Sequence, residues 1–170
     1  MADQPEQMDV EIDPKEFRTV LGHFPTGVTV VSGVDDTGAH GLAIGSFFSI
    51  SLDPPLVGFC VGESSQSWAR IAATGSFAVN VLSEHQVEVS NVFAGKAEDK
   101  FAQTEWVAAP VTGSPWISEA VAHIDCDLEA TYPGGDHQIV VGRVRSLQVH
   151  REEHGPLLFF KGSYGRHVGL

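Results

Sequence analysis

Three clusters and one lysine in this 170-residue chain carry side chains that could do or support chemistry. Ser64-Ser65-Gln66-Ser67 sets three hydroxyls at the start of a predicted helix. Beside free helix N–H groups and the positive end of the dipole, they can hold a phosphate. The same serines can equally act as N-caps. Gly45-Ser46-Phe47-Phe48-Ser49 combines a glycine, two hydroxyls and flat apolar surface. A planar ring system needs that mixture along its polar edge and faces, though a barrel strand with a glycine bulge would look alike. Gly134-Gly135-Asp136-His137 is a turn that presents a histidine, either over a cofactor face or to solvent. Lys100 can add a cation to a phosphate or remain a solvated loop lysine.

Other chemistries lack their motifs. No G-x-G-x-x-G, P-loop or G-x-S-x-G is present. The eight histidines form no H-E-x-x-H and no zinc-type spacing with the cysteines. His150 and His154 surround Arg151-Glu152-Glu153 and read as a solvated loop, so no metal is expected.

The elements that must position these clusters follow from pattern. Residues 1–12 read as a loose acidic tail, and 13–170 as one domain. Asp13 as N-cap, Pro14 at the first position and Glu16 three residues after the cap predict a helix. Phe17, Val20, Leu21 and Phe24 follow helical spacing, which predicts a buried face. Gly27 to Gly33 and Leu42 to Ser51 read as strands around the Asp35-Asp36-Thr37-Gly38 turn. Pro54-Pro55 ends that run, and Leu56 to Val61 is the next strand.

A helix carrying Trp68, Ile71 and Ala72 stops near Gly75, and a strand covers Phe77 to Leu82. Ser83 with Gln86 reads as a capping box for a helix that turns Val89, Val92 and Phe93 inward. Residues 94–116 look loop-rich. Val121 to Tyr132 alternates with Ala122, Ile124, Cys126, Leu128 and Ala130 on one side. Gln138 to Val149 shifts parity, which predicts a bulge, and Leu157 to Lys161 reads as the last strand. About seven strands and three short helices favour a barrel in a mainly β fold.

Composition narrows the partners. Ten basic against 22 acidic residues give a net charge of −12, which argues against nucleic acid or an anionic membrane. No apolar run is long enough to span a bilayer. The first thirteen residues carry no signal-peptide pattern, and Cys60 and Cys126 read as reduced thiols, so a cytoplasmic setting is expected.

Taken in order, Phe24-Pro25-Thr26-Gly27-Val28, Ser51 to Val57, Phe77 to Leu82, Asp99-Lys100-Phe101 and Gly135-Asp136-His137 resemble the short-chain flavin reductases. That family includes the reductase components of 4-hydroxyphenylacetate, phenol and steroid-catabolic hydroxylases. The resemblance covers Phe17 to Gly165. It implies a homodimeric, FMN-binding split β-barrel that takes FMN or FAD and NADH or NADPH, and that supplies a monooxygenase component with reduced flavin. It places Pro25 and Thr26 beside the flavin ring, with Ala43, Ile44, Gly45, Ser46, Phe47 and Ser49 against it. Cys60, Val61, Gly62, Ser64, Ser65 and Ser67 would line the flavin's chain and phosphate. Phe93, Lys100 and Phe101 would stand near the phosphate end, and His137, Tyr164 and Gly165 where the nicotinamide nucleotide docks. Glu63 departs from the basic residue common in relatives and would repel a phosphate. The absence of a basic run for a 2′-phosphate leans toward NADH.

The expected activity is therefore an NAD(P)H:flavin oxidoreductase. The rivals are a pyridoxamine-phosphate-oxidase-like flavoenzyme on the same barrel and a non-catalytic FMN carrier.

Overall fold

A computed structural model describes residues 11–169. The acidic tail read over 1–12 lies outside the described residues except for Glu11 and Ile12, which are exposed. Helix α1 (Pro14–Leu21) starts as expected, with the Asp13 carboxylate accepting from the Lys15 N–H at 3.0 Å. Short strand β1 (Thr26–Gly27) precedes a hairpin of β2 (Thr29–Asp35) and β3 (Gly38–Ile44), and a second hairpin joins β4 (Phe48–Leu52) to β5 (Pro55–Gly62). Helix α2 (Gln66–Ala73), β6 (Ser76–Val81) and helix α3 (Val87–Ala94) follow. Then come β7 (Trp106–Ala108), β8 (Pro115–Ile117), the long pair β9 (Ala122–Gly134) and β10 (His137–Val149), and a last hairpin of β11 (Leu157–Phe160) and β12 (Ser163–Arg166).

Seven strands form one antiparallel sheet in the order β3-β2-β6-β9-β10-β5-β4. Its inner face is filled by Val31, Phe59, Phe77, Val79, Cys126 and Val140, closed on one side by Trp68 and Ile71 of α2. Phe59, Phe77 and Trp68 meet edge to face at centroid distances of 5.2, 5.5 and 6.0 Å, the geometry aromatic quadrupoles favour. Strand β10 bends around this cluster through register shifts at Val141/Gly142 and Val144/Ser146, the bulge the parity shift predicted. Gly142 is needed at the first, because a Cβ there would come within 2.4 Å of the Phe77 ring. The result is a mainly β split barrel with three short helices.

Several expectations change on contact with the structure. The run from Leu42 to Ser51 is two strands, broken at Gly45–Phe47, and they lie at opposite edges of the sheet. The apolar stripe of α1 is not buried: Phe17, Val20, Leu21 and Phe24 are between 52% and 73% exposed. The polar stripe Lys15, Arg18, Thr19 and Gly22 instead faces a cleft against the chain's own β11–β12 turn. Gln86 does reach back to the Ser83 N–H at 3.0 Å, but it does so across a turn, and α3 begins only at Val87. Ser90 and Phe93 are buried there, whereas Val92 faces out. Strand β11 is not last, since β12 folds back on it. The first half of β9 is covered on both sides, so His123 and Asp125 are buried as well. The Asp125 carboxylate accepts the N–H groups of Val111 and Thr112 at 3.0 and 3.1 Å, anchoring that loop. Burial and the neighbouring Asp125 and Asp127 push the Cys126 thiol up to about 12.

Overpacking beside Phe77 gives a direct check. Gly142→Ala should lower stability by about 1–3 kcal/mol in urea unfolding, while Gly27→Ala, with open space around its Cβ, should cost nothing comparable. Equal losses would detach Gly142 from the aromatic core.

Candidate functional site

The edges of the seven-stranded sheet do not pair through a backbone ladder. There Leu42 and Ile44 of β3 share the buried core with Val57, Phe59 and Val61 of β5, and one side chain extends the β4–β5 hairpin toward the rim. The Ser46 hydroxyl donates to the Cys60 carbonyl at 3.0 Å and accepts from the Cys60 N–H at 2.9 Å. This doubly bonded serine spans the seam between the β3–β4 connection and β5. Next to it, a Cβ on Gly45 would sit 3.2 Å from the Thr26 hydroxyl, so the glycine keeps β1 close to the seam.

Strand β5 then delivers Cys60, Val61 and Gly62 to the start of α2. Ser65 is the N-cap, its hydroxyl accepting from the Trp68 N–H at 3.3 Å. By position, the N–H groups of Gln66 and Ser67 lack intrahelical acceptors. Ser64 is exposed and Ser67 half-buried, so hydroxyls stand beside those N–H groups. The eight-residue helix adds its dipole, giving a place for an anion.

The β9–β10 tip closes the same end. His137 pairs in register with Gly62, and the Glu63 N–H donates to the Asp136 carbonyl at 3.2 Å. Trp68 Nε1 donates to the Gln138 side-chain carbonyl at 3.3 Å, tying α2 to β10. His137 Nδ1 donates to the Asp136 carboxylate at 2.6 Å. That bond, and then the imidazole charge, holds the Asp136 carboxyl below its ordinary range. His137 is about half exposed, with Nε2 left for a ligand.

A second group flanks the seam. The Tyr164 hydroxyl bonds Ser90 at 2.9 Å and donates to Asn91 at 3.0 Å, fixing β12 on α3. Gly165 pairs with Leu158, itself the neighbour of Gly27. Phe93 and Phe101 pack edge to face at 4.8 Å over Gly41, where any Cβ would collide with Phe93 at 2.5 Å.

The residues expected at a site are therefore not equivalent. Ser46, Cys60, Gly62, Ser64, Ser65, Ser67 and His137 follow one another along a continuous rim, with Thr26 and Gly45 adjoining it. Ile44 and Val61 send their side chains into the core, leaving only backbone for a ligand. Phe93 is 1% exposed, its ring packed against Phe101. The Lys100 ammonium donates to the Phe93 carbonyl at 2.9 Å at the end of α3, and burial pushes it below the usual lysine range. None of Ser64, Ser65 and Ser67 is among its partners. Gln138, Asn91 and Ser90 were not singled out from sequence, and only the position of Gln138 directly after His137 hinted at a role.

The arrangement can hold a flat ring against Gly45, an anion at α2 and a second planar group beneath His137. A model of the flavin reductase like domain matches residues 21–167. The chain belongs to the flavin reductase-like family. A flavin reductase of Pseudomonas putida is 50% identical over 155 residues, spanning 91% of this chain and 90% of the relative. The reductase subunit HsaB of a flavin-dependent monooxygenase from Rhodococcus jostii (strain RHA1) is also 50% identical, over 90% of this chain and 77% of the relative. Among solved structures, the Streptomyces globisporus C-1027 NADH:FAD oxidoreductase SgcE6, in complex with NAD and FAD fragments, superposes with a TM-score of 0.86 at 38% identity. That superposition covers 94% of this chain and 97% of the other. Among the described residues, no group of three or more His, Cys, Asp or Glu is placed to hold a metal.

Ser46→Ala removes both bonds of the staple at once. Its expected cost is about 0.5–1.5 kcal/mol per lost bond, read as a lower thermal midpoint. A variant of wild-type stability would show that the seam holds without the serine.

Proposed function

We propose that this chain is an NADH-dependent flavin reductase that provides reduced flavin to a partner monooxygenase. The observation that carries this reading is the union, at one barrel seam, of an anion-holding helix start, a glycine-lined backbone edge and a histidine on a hairpin tip, in a chain of this family. The relatives named NADH:FAD oxidoreductase and monooxygenase reductase subunit support it.

In this reading Pro25, Thr26, Ala43, Gly45, Ser46, Phe47 and Ser49 face the flavin ring, with Ile44 and Val61 contributing backbone. Cys60, Gly62, Ser64, Ser65 and Ser67 take its chain and phosphate. Lys100 and Phe101 stay behind the site with Phe93. His137, Tyr164 and Gly165 receive the nicotinamide nucleotide.

Bound flavin supplies the hydride acceptor, and the chain's contribution is placement. Ser46 fixes Cys60 and hence the strand edge under the ring. The Gln66 and Ser67 N–H groups carry the phosphate. Asp136 holds one nitrogen of His137, which orients the other toward the nucleotide. Ser90 and Asn91 hold the Tyr164 phenol so that its ring forms a fixed wall. Glu63 and Asp136 put negative charge beside the phosphate site, which weakens flavin retention and favours release of the product.

The exposed stripe of α1 supports a homodimer. A helix that turns its basic face to its own chain and its apolar face outward leaves apolar surface for a second copy to cover. The unpaired edge strand β4 adds Phe48, Ile50 and Leu52 to the exposed apolar surface. Sedimentation should give about twice the 18.2 kDa chain mass. A fully active monomer at micromolar concentration would remove the dimer. Two free cysteines and the absence, among the described residues, of a helix long and apolar enough to cross a membrane are in keeping with a cytoplasmic setting.

The decisive assay is NADH oxidation with and without added FMN or FAD. Turnover should depend on added flavin, whereas a tightly held yellow chromophore with little turnover would make the protein a carrier. His137→Ala should raise the KM for NADH several-fold while flavin affinity changes little. Equal losses of both would reduce His137 to a structural residue.

A further inference from the structure

Strand β8 lies outside the seven-stranded ladder and pairs with β7. Side chains from the sheet beneath therefore meet its backbone groups. The Ser32 hydroxyl of β2 donates to the Pro115 carbonyl at 2.6 Å. Asn80 of β6 accepts the Ile117 N–H at 2.7 Å and donates to the Pro115 carbonyl at 3.3 Å. His123 of β9 bonds the Ile117 carbonyl through Nε2 at 2.8 Å. Asp125, also on β9, holds the loop that joins β7 to β8. All four anchors are buried.

Of the four, His123 is the one that changes charge near neutral pH. A carbonyl only accepts, so Nε2 carries the proton of the neutral ring and Nδ1 is a bare acceptor. That Nδ1 is buried without a hydrogen-bond partner. A proton arriving there finds nothing to bond. The Trp116 ring stacks on the imidazole at 4.9 Å and 11°, but its Nε1 is a donor and is itself unpartnered. Exposed His150 stands at 5.4 Å and can add only like charge. Nearby carboxylates are committed elsewhere, Asp125 to the Val111 and Thr112 N–H groups and Glu119 to Arg151. The cross-strand neighbours Asn80 and Gln148 carry no charge.

A stacked indole face attracts a cation. That gain is the smaller effect, because a buried charge with no partner loses its hydration and recovers it from nothing. Burial accordingly pushes the His123 imidazole below the usual histidine range; the bond to Ile117 pulls the other way, and the His150 charge adds to the depression. A group depressed in the closed state takes its proton more readily once released. The anchor is therefore at full strength above the ordinary histidine value of 6.5 and weakens as the pH falls below it.

We propose that His123 is the latch of a proton-operated flap, the β7–β8 hairpin, which lies on β2, β6 and β9 when the imidazole is neutral and lifts when it is protonated. The flap packs through a small apolar cluster of its own, Ala78, Ala109 and Trp116, separate from the aromatic core, so it lifts without opening the barrel. Its ends reach the neighbourhood of α3: Trp106 meets Phe101 edge to face at 6.2 Å, and the Gln86 amide donates to the Ser118 carbonyl at 2.8 Å. The device needs no flavin or nucleotide, so its test runs on the chain alone.

Hydrogen exchange on the full chain, corrected for the intrinsic effect of pH on amide exchange, reads the flap directly. From about pH 7 to about pH 5.5, opening of residues 107–117 should rise several-fold, with about tenfold per pH unit as the limit for one proton. Strands β5 and β10 should change by less than about twofold over the same range. His123→Gln keeps a side-chain N–H for the Ile117 carbonyl and takes no proton, so its flap should open equally at both pH values. No rise in the wild-type chain, or an acid-induced rise that persists in His123→Gln, would overturn the latch. Should His123→Gln fail to fold, imidazole nitrogen chemical shifts of the wild-type chain decide. They should show the Nε2–H tautomer at neutral pH and protonation in step with flap opening. An Nδ1–H tautomer, or an imidazolium formed under a closed flap, would overturn it equally.

Discussion

Four peptide steps from Ile44 to Phe48 join the two edges of a seven-stranded sheet. Such a link spans at most about 14 Å. Seven strands laid flat would separate their outer members by about 29 Å. The sheet therefore has to curl until β3 and β4–β5 come together, and the bulges of β10 and the missing side chain at Gly142 are what let it curl over Phe77. The hydrophobic effect fills the interior, but this short covalent link fixes its shape.

The same constraint creates the site. A curled sheet whose edges meet without a ladder leaves backbone polar groups unmatched at the seam, and such groups need other partners. Ser46 answers those of Cys60. The glycine before it keeps the surface flat and close to Thr26. On either side, α2 and the β9–β10 tip bring a serine-rich helix start and a histidine to the same rim. Fold and site are thus consequences of one closure.

What local chemistry controls was legible in the sequence. Asp13-Pro14 started α1, Ser65 capped α2, and Gly134-Gly135 turned β9 into β10. The strands and the bulge followed from alternation and its interruption. Properties set through space were not legible. The Ser46–Cys60 staple links residues fourteen apart by a hydroxyl that equally suited a ligand. The stripe of Phe17, Val20, Leu21 and Phe24 was plain, yet a stripe does not say which molecule covers it. Ser83 and Gln86 matched a capping box but serve a turn, because Ser83 is bridged to Pro156. Phe93 and Lys100 matched a family pattern, and only their packing against Gly41 and the α3 carbonyl end shows how they are spent.

The circumference of this barrel is held unevenly. Around most of its circumference, neighbouring strands are held by continuous ladders backed by the aromatic cluster. At the seam no ladder runs, and the link 45–47, the buried Leu42, Ile44, Val57, Phe59 and Val61 and two exposed hydrogen bonds make the connection. Local opening follows the path with fewest buried contacts, so the exposed Ser46 end of the seam loosens before the Phe59, Phe77 and Trp68 core does. The rim that a flat ring would cross is thereby also the softest stretch of the closure.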